Sequence, residues 1–290
     1  MRVEAGTVAR AEHLLFHRAP ADALAALRGA DGAHARWLYG VALGALGRYG
    51  TALEVLTAGD LAEPRFASLA ASTAASIYRQ LGRHTDAEEL DLRALAVLGQ
   101  ADGAADAVFD ARLGLAADAV GLHRGTDARR LLRDAAAALP ADSWRARVRF
   151  DWVATEVALL DGDPAGAVDT ARRAVTQSEA AQAPRHVAKS LLFLGASLIA
   201  ELRATGGRAD EAAAVLRRAV ALADGVEARP LLWVARALLG ALVAPTDPDG
   251  SAENLRAART VVLAIADDLP PADRAAWLSR PDLAALGISS

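Results

Sequence analysis

His13 and His17 stand four residues apart, a spacing that puts two imidazoles on one face of a helix within reach of one metal ion. No third ligand accompanies them, so they read as a solvated helix face. Asp161-Gly162-Asp163-Pro164-Ala165-Gly166 begins like a calcium loop, but its twelfth place, which needs a bidentate glutamate, is Arg172. A turn between two helices accounts for that segment. Leu194-Gly195-Ala196-Ser197-Leu198 misses the last glycine of a Gly-x-Ser-x-Gly nucleophile turn, which leaves Ser197 a helix residue. Between His123 and Arg149, seven arginines (124, 129, 130, 133, 145, 147 and 149) face three aspartates (127, 134 and 142). Such a cluster could contact phosphate or an acidic peptide, while a solvated helix face is the plainer account. His34, His84, His123 and His186 are scattered and are expected at turns or helix surfaces. The chain has no cysteine, no Gly-Lys-Ser/Thr phosphate loop and no His-Glu-x-x-His pair. Catalytic residues, a metal and a cofactor are therefore not expected.

Helices must position whatever these residues do. Ala, Leu and Arg, all good helix formers, dominate the 290 residues, and no segment sustains the alternation of a strand. A formal charge of -4, spread over both signs, calls for neither nucleic acid nor a membrane surface. The longest apolar stretch, 190–200, is far short of the ~20 residues that span a bilayer. The first residues, Met1-Arg2-Val3-Glu4-Ala5-Gly6, show no apolar signal core, so a cytoplasmic protein is expected. Lys189 is the sole lysine among many arginines, as in proteins of GC-rich, actinobacterial genomes. Pro20 and Pro164 fit first helical turns, Pro64 and Pro140 fit helix stops, and Ser251 fits a helix cap.

A small residue recurs with a second one seven places on: Ala23 and Ala30, Ala52 and Gly59, Ala87 and Ala94, Ala128 and Ala135, Ala167 and Ala174, Ala212 and Ala219. Seven residues are two helical turns, so each pair shares one face. Between the members come Leu27, Leu56, Asp91, Leu132, Ala171 and Leu216; Asp91 alone breaks the apolar pattern. Small side chains on one stripe let neighbouring helix axes approach closely. Turn segments such as Gly47-Arg48-Tyr49-Gly50 and Gly82-Arg83-His84-Thr85 precede these helices. Periodic units of this length are the mark of a solenoid.

These residues resemble the tetratricopeptide repeat family. The unit beginning at Ala33 carries Gly40, Leu43, Ala52, Leu56, Gly59 and Pro64 at the family's places, and later units repeat the pattern through Ala75, Ala116 and Thr155. The resemblance implies an all-α, right-handed α-solenoid of about six to seven helix-turn-helix repeats with a C-terminal capping helix. One domain would span 1–290, with repeats at about 4–32, 33–67, 68–108, 109–147, 148–187, 188–232 and 233–266, and a cap at 267–290. The last small pair would be Ala257 and Ala264. In this family the first helix of each pair lines the concave groove. Matching positions imply Trp37 and Val41, then Ser72, Ser76 and Arg79, then Arg149, Trp152 and Glu156 as partner-binding residues. Trp37 and Trp152 each admit two readings, a groove residue that stacks on peptide or a core residue.

The expected function is a non-catalytic interaction scaffold that holds a peptide or helix of a partner protein in that groove. Family members that grip chaperone C-terminal tails use lysine and asparagine there, and Lys189 and Asn254, the only ones here, do not recreate that clamp. The alternative is a regulatory sensor module of a bacterial transcription or signalling system, its curvature shifted by a ligand. An enzyme built on Glu156 lacks a placed partner for that carboxylate.

Overall fold

In the computed structural model, which describes residues 2–59, 61–99 and 103–288, the chain forms fifteen α-helices and one 3-10 helix. In chain order they are α1 (Arg2–His17), α2 (Pro20–Ala26), α3 (Ala33–Ala45), α4 (Tyr49–Thr57), α5 (Pro64–Gln80), α6 (His84–Leu98), α7 (Ala105–Gly121) and α8 (Gly125–Ala136). There follow α9 (Trp144–Leu160), α10 (Pro164–Ala180), α11 (Pro184–Thr205), α12 (Ala209–Gly225), α13 (Arg229–Val243), α14 (Pro248–Ala266), α15 (Pro271–Leu278) and the 3-10 helix Pro281–Leu286. No described residue forms a strand. No helix among the described residues is long and apolar enough to cross a membrane.

Each helix packs on its neighbour in sequence, and the odd-numbered helices also pack on one another in series, α1 on α3 on α5 and so on to α13. They form the inner wall of an α-solenoid, with the even-numbered helices outside. The turn inside each early pair explains its glycine. Gly47 and Gly82 adopt φ of 77° and 79°, and the next amides, Arg48 and Arg83, reach back to the carbonyls of Leu43 and Tyr78. This left-handed closure satisfies carbonyls that the helix end would leave open. His123, Gln182 and Glu227 take the same left-handed place without being glycine.

Ala23, Ala52, Ala87, Ala128, Ala167 and Ala212 are wholly buried, as is close packing at a helix crossing. Their partners Ala94, Ala135, Ala174 and Ala219 are buried too, but Ala30 and Gly59 are not. The reason is length: α2 and α4 stop at Ala26 and Thr57, before the second place is reached. At Gly40 the first helix runs so close to the second that an added Cβ would overlap the Leu56 side chain.

Several local expectations need correction. Pro64 opens α5 rather than stopping α4. The late helix is capped by Asp247, whose carboxylate accepts the Gly250 amide at 2.9 Å, while Ser251 is buried inside it. Its buried seven-residue spacing is Ser251, Ala258 and Ile265, one residue away from Ala257 and Ala264. From α5 on, first helices start four residues ahead of the expected repeat starts, at 64, 105, 144, 184 and 229. That is one extra turn on the inner wall. His17 is not a solvated residue either: its Nδ1 lies 3.0 Å from the Ala181 carbonyl and its ring meets Trp144. His186 is buried, between Trp144 and Trp152.

The solenoid closes on itself. At one seam α1 packs on α11, with Phe16 edge-on to His186. At the other, the end of α14 and α15 reach the starts of α4 and α6. Thr51 donates its amide (3.0 Å) and its hydroxyl (2.7 Å) to Asp268, Arg83 pairs with Asp273 at 2.7 Å, and Arg280 donates to the Gln80 carbonyl. Trp277 fills the joint, edge-on to both Tyr49 and Trp233. One apolar cluster accordingly joins Leu15, Leu38 and Leu69 to Ile265, Trp277 and Leu283.

Candidate functional site: an enclosed channel lined by the odd-numbered helices

Closure turns the concave groove into a channel. On α9, Arg145, Arg149, Trp152 and Glu156 are spaced by four, three and four residues and so share one face. Arg185, Lys189 and Phe193 follow the same rule on α11, and Leu231, Val234 and Leu238 do so on α13. Ser143 fixes the start of α9 by accepting the Ala146 amide, and Asp151 fixes its rotation by accepting from Arg173 (3.0 Å) and Gln177 (2.9 Å) of α10. With its outer face so held, α9 must turn its basic stripe inward.

Two adjoining chambers occupy the channel, of about 130 and 360 Å³, and both are bounded by Ser76, Gln80, Arg149, Trp152, Lys189 and Leu231. The first also meets Asp110, Arg145 and Arg185; the second adds Leu113, Val120, Phe193 and Leu238, with Arg79 and Glu156. A larger, more open hollow of about 870 Å³ lies where the short α2 and α4 end, lined largely by turn residues.

The channel's charges are unequal. Of its basic residues, Arg79 is drawn into the wall, where it bonds Asp91 of α6 (2.6 Å) and Asp118 of α7 (3.0 Å). This is why the repeat's large apolar place holds Asp91: a fully buried carboxylate there ties three helices together through one guanidinium. Burial raises the pKa of both carboxylates, against the pull of Arg79. Arg145 and Arg149 share Asp110. Among the described residues Arg185 has no ion-pair partner, and its Nε is buried without a hydrogen-bond partner. Lys189 holds its ammonium 4.4 Å from the centre of the Trp152 ring, with no carboxylate of the described residues within 4.0 Å.

Burial pushes the Lys189 amine down to about 7; Glu156 opposes this, and Arg185, Arg149 and Arg79 add to it. Burial also lowers Arg185 to about 10 and keeps His186 neutral well below its ordinary range. Glu156 is raised by burial and lowered by Lys189 and Arg79. Arg185 and Lys189 are half-buried and keep contact with the channel space.

Val41, Ser72, Ser76, Arg79, Arg149, Trp152 and Glu156 all line these chambers. Trp37 does not: it is 3% exposed, and its indole donates to Thr73 at 3.0 Å, between α3 and α5. Trp152 forms channel wall, only 5% exposed, its indole donating to Ser190 at 2.9 Å and its ring stacked on His186. Arg145, Arg185, Lys189 and Phe193 were not among the expected groove residues. The available signal was their four-residue spacing on otherwise apolar helices. Arg129, Arg130 and Arg133 lie outside the channel, on α8; Arg129 pairs with Asp161, and Arg130 with Asp127 and Asp134. No cluster of three or more metal-ligating side chains occurs among the described residues.

No family model matches this sequence, and no curated protein matches it. Among solved structures, a Rap protein complexed with competence and sporulation factor is similar, with a TM-score of 0.69 over 96% of this chain and 80% of that one. Sequence identity is 12%, so the likeness is one of fold alone: an all-helical repeat solenoid.

Proposed function

We propose that the protein is a non-catalytic binding protein whose ligand lies in the central channel: a short extended segment of a peptide or partner protein, or a small molecule of similar girth. One observation carries this reading: the solenoid closes around chambers lined mainly by the odd-numbered helices, with Tyr49 of α4 and His84 of α6 beside them. The second chamber, of about 360 Å³, lies within the range of small-ligand sites, ~300–1,000 Å³, and the first, of about 130 Å³, is smaller. A solenoid of like fold holding competence and sporulation factor supports the reading by analogy. Among the described lining residues, no nucleophile is hydrogen-bonded to a base, which leaves no acyl- or phosphoryl-transfer constellation to propose.

Val41, Ser72, Ser76, Arg149 and Glu156 would touch the ligand, while Arg79 and Trp152 would shape the wall. Ser76 borders both chambers, so Ser76→Trp should fill their junction. Native mass spectrometry of protein from its own host is expected to find a ligand on the natural chain and none on Ser76→Trp. Equal occupancy of both would remove the channel as the site. A second reading, a regulatory sensor, draws on the polar seam at Asp268 and Arg280, which ligand entry would have to part. Small-angle scattering with and without ligand tests it, and identical curves would count against it.

A further inference from the structure

The two chambers differ in chemistry, and the difference points to a class of ligand. Arg185 and Lys189 stand one turn apart on α11, face the first chamber, and form no ion pair with a carboxylate among the described residues. Arg149, on α9 opposite, shares its one acid with Arg145. Cations crowded into one site repel one another, and the Arg185 Nε has surrendered hydration that no hydrogen-bond partner replaces. An anion would relieve both. The chain's only lysine is placed here. Beyond Trp152 and Leu231 the second chamber is lined largely by apolar side chains, Leu113, Val120, Phe193, Val234 and Leu238, with Glu156 and His84 also at its wall. Its own cation, Arg79, is already held by two carboxylates.

We propose that the channel binds a small amphipathic anion, with a carboxylate or phosphate head between Arg149, Arg185 and Lys189 and an apolar body against Leu113, Val120, Phe193 and Leu238. This rests on the channel being the binding site and adds the chemistry of what enters it. The head exchanges hydration for charge-assisted hydrogen bonds from two guanidinium groups and an ammonium. The body buries apolar surface worth about 25 cal/mol per Å². A free acid and the C-terminal residue of an apolar peptide present the same chemistry, and the test separates them.

Binding should depend on pH. The groups facing Lys189 are Glu156 and Arg149 from α9, Arg79 from α5, and Arg185 and His186 on its own helix; α13 brings only Pro230 and Leu231. With its amine near 7 in the free protein, an anion beside Lys189 raises that value and takes up a proton. Affinity is then greatest below pH 7 and falls as pH rises through that value. Ionisation of Glu156, raised by burial, acts in the same direction.

The test is titration calorimetry of the full chain with octanoate, octyl phosphate and the neutral octanamide at pH 6 and pH 8.5. An apolar pentapeptide, with a free or an amidated C-terminus, forms a second arm. The expected result is binding of octanoate or octyl phosphate at least tenfold tighter than octanamide, and tighter at pH 6. Arg185→Gln and Lys189→Met should each weaken it about tenfold, and Lys189→Met should flatten the pH dependence. Tighter binding of the free-carboxylate peptide than of octanoate would identify a peptide end as the source. Octanamide binding as well as octanoate overturns the proposal on the unaltered protein, whether or not the variants fold. If neutral peptides bind and Ser76→Trp excludes them while no anion binds, the anion proposal fails and the channel stands. If octanoate binds Ser76→Trp as well as it binds the natural chain, both fail.

Discussion

At Asp91, a carboxylate occupies a place where the other repeats hold leucine or alanine, and it does so because Arg79 reaches it from the neighbouring helix. Removing one partner of such a buried cluster leaves charge without compensation. Arg79→Ala should therefore lower stability by about 3–5 kcal/mol in denaturant unfolding. Titration supplies a second check. Burial raises Asp91 to about 7, whereas in the unfolded chain it lies near ~3.9. The folded state thus keeps a proton the unfolded state has lost. That contribution is present in full below the unfolded value and disappears as pH rises through about 7. Asp91→Asn, which cannot titrate, should flatten the decline in melting temperature between pH 5 and pH 9, and an unchanged slope would place the titration elsewhere. Little of this was legible in the sequence. Asp91 stood out as an irregularity, but its partner Asp118 comes from the next repeat, and no local spacing links them. Trp37 and Trp152 were ambiguous for a related reason: their depth turns on a rotation of one residue about the helix axis, about 100°.

The helices were the most readable level, because the signal was steric. A crossing that admits only a small side chain imposes alanine or glycine at fixed intervals, and the seven-residue spacing marked α6, α8, α10 and α12 at both places. It failed where a helix ended early, as α2 and α4 do, since composition does not show the last hydrogen-bonded turn. A paired substitution separates these cases. Ala94→Leu should cost ~1–3 kcal/mol by overpacking, whereas Ala30→Leu, beyond the end of α2, should stay within about 0.5 kcal/mol. Thermal melts of both measure the contrast, and equal losses would refute the assigned packing. Lysine and arginine positions on α9 and α11 were equally plain in the sequence, yet their meaning was not. A basic stripe reads as solvated until the opposite wall is known to enclose it.

That enclosure belongs to the whole molecule. Small rotations between successive repeats sum along the solenoid, and no local pattern predicts that they bring Asp268 to Thr51, 217 residues away. The approach there is tight: a Cβ added at Gly50 would overlap the Asp268 carbonyl oxygen. Gly50→Ala should accordingly part this seam while leaving the helices intact. Scattering should report a larger radius of gyration, hydrogen exchange should quicken over 271–286, and circular dichroism should hold steady. Unaltered exchange across 271–286 would show that the seam contributes little. The two seams also set a counting rule. An open solenoid can gain or lose a unit during its history at the cost of one interface, and its repeats can unravel from either end. Here a whole-repeat duplication would carry Asp268, Asp273 and Arg280 past their partners on α4, α5 and α6. A solenoid that must meet its own earlier turns is held to one number of repeats, and it should unfold as a unit where an open solenoid frays.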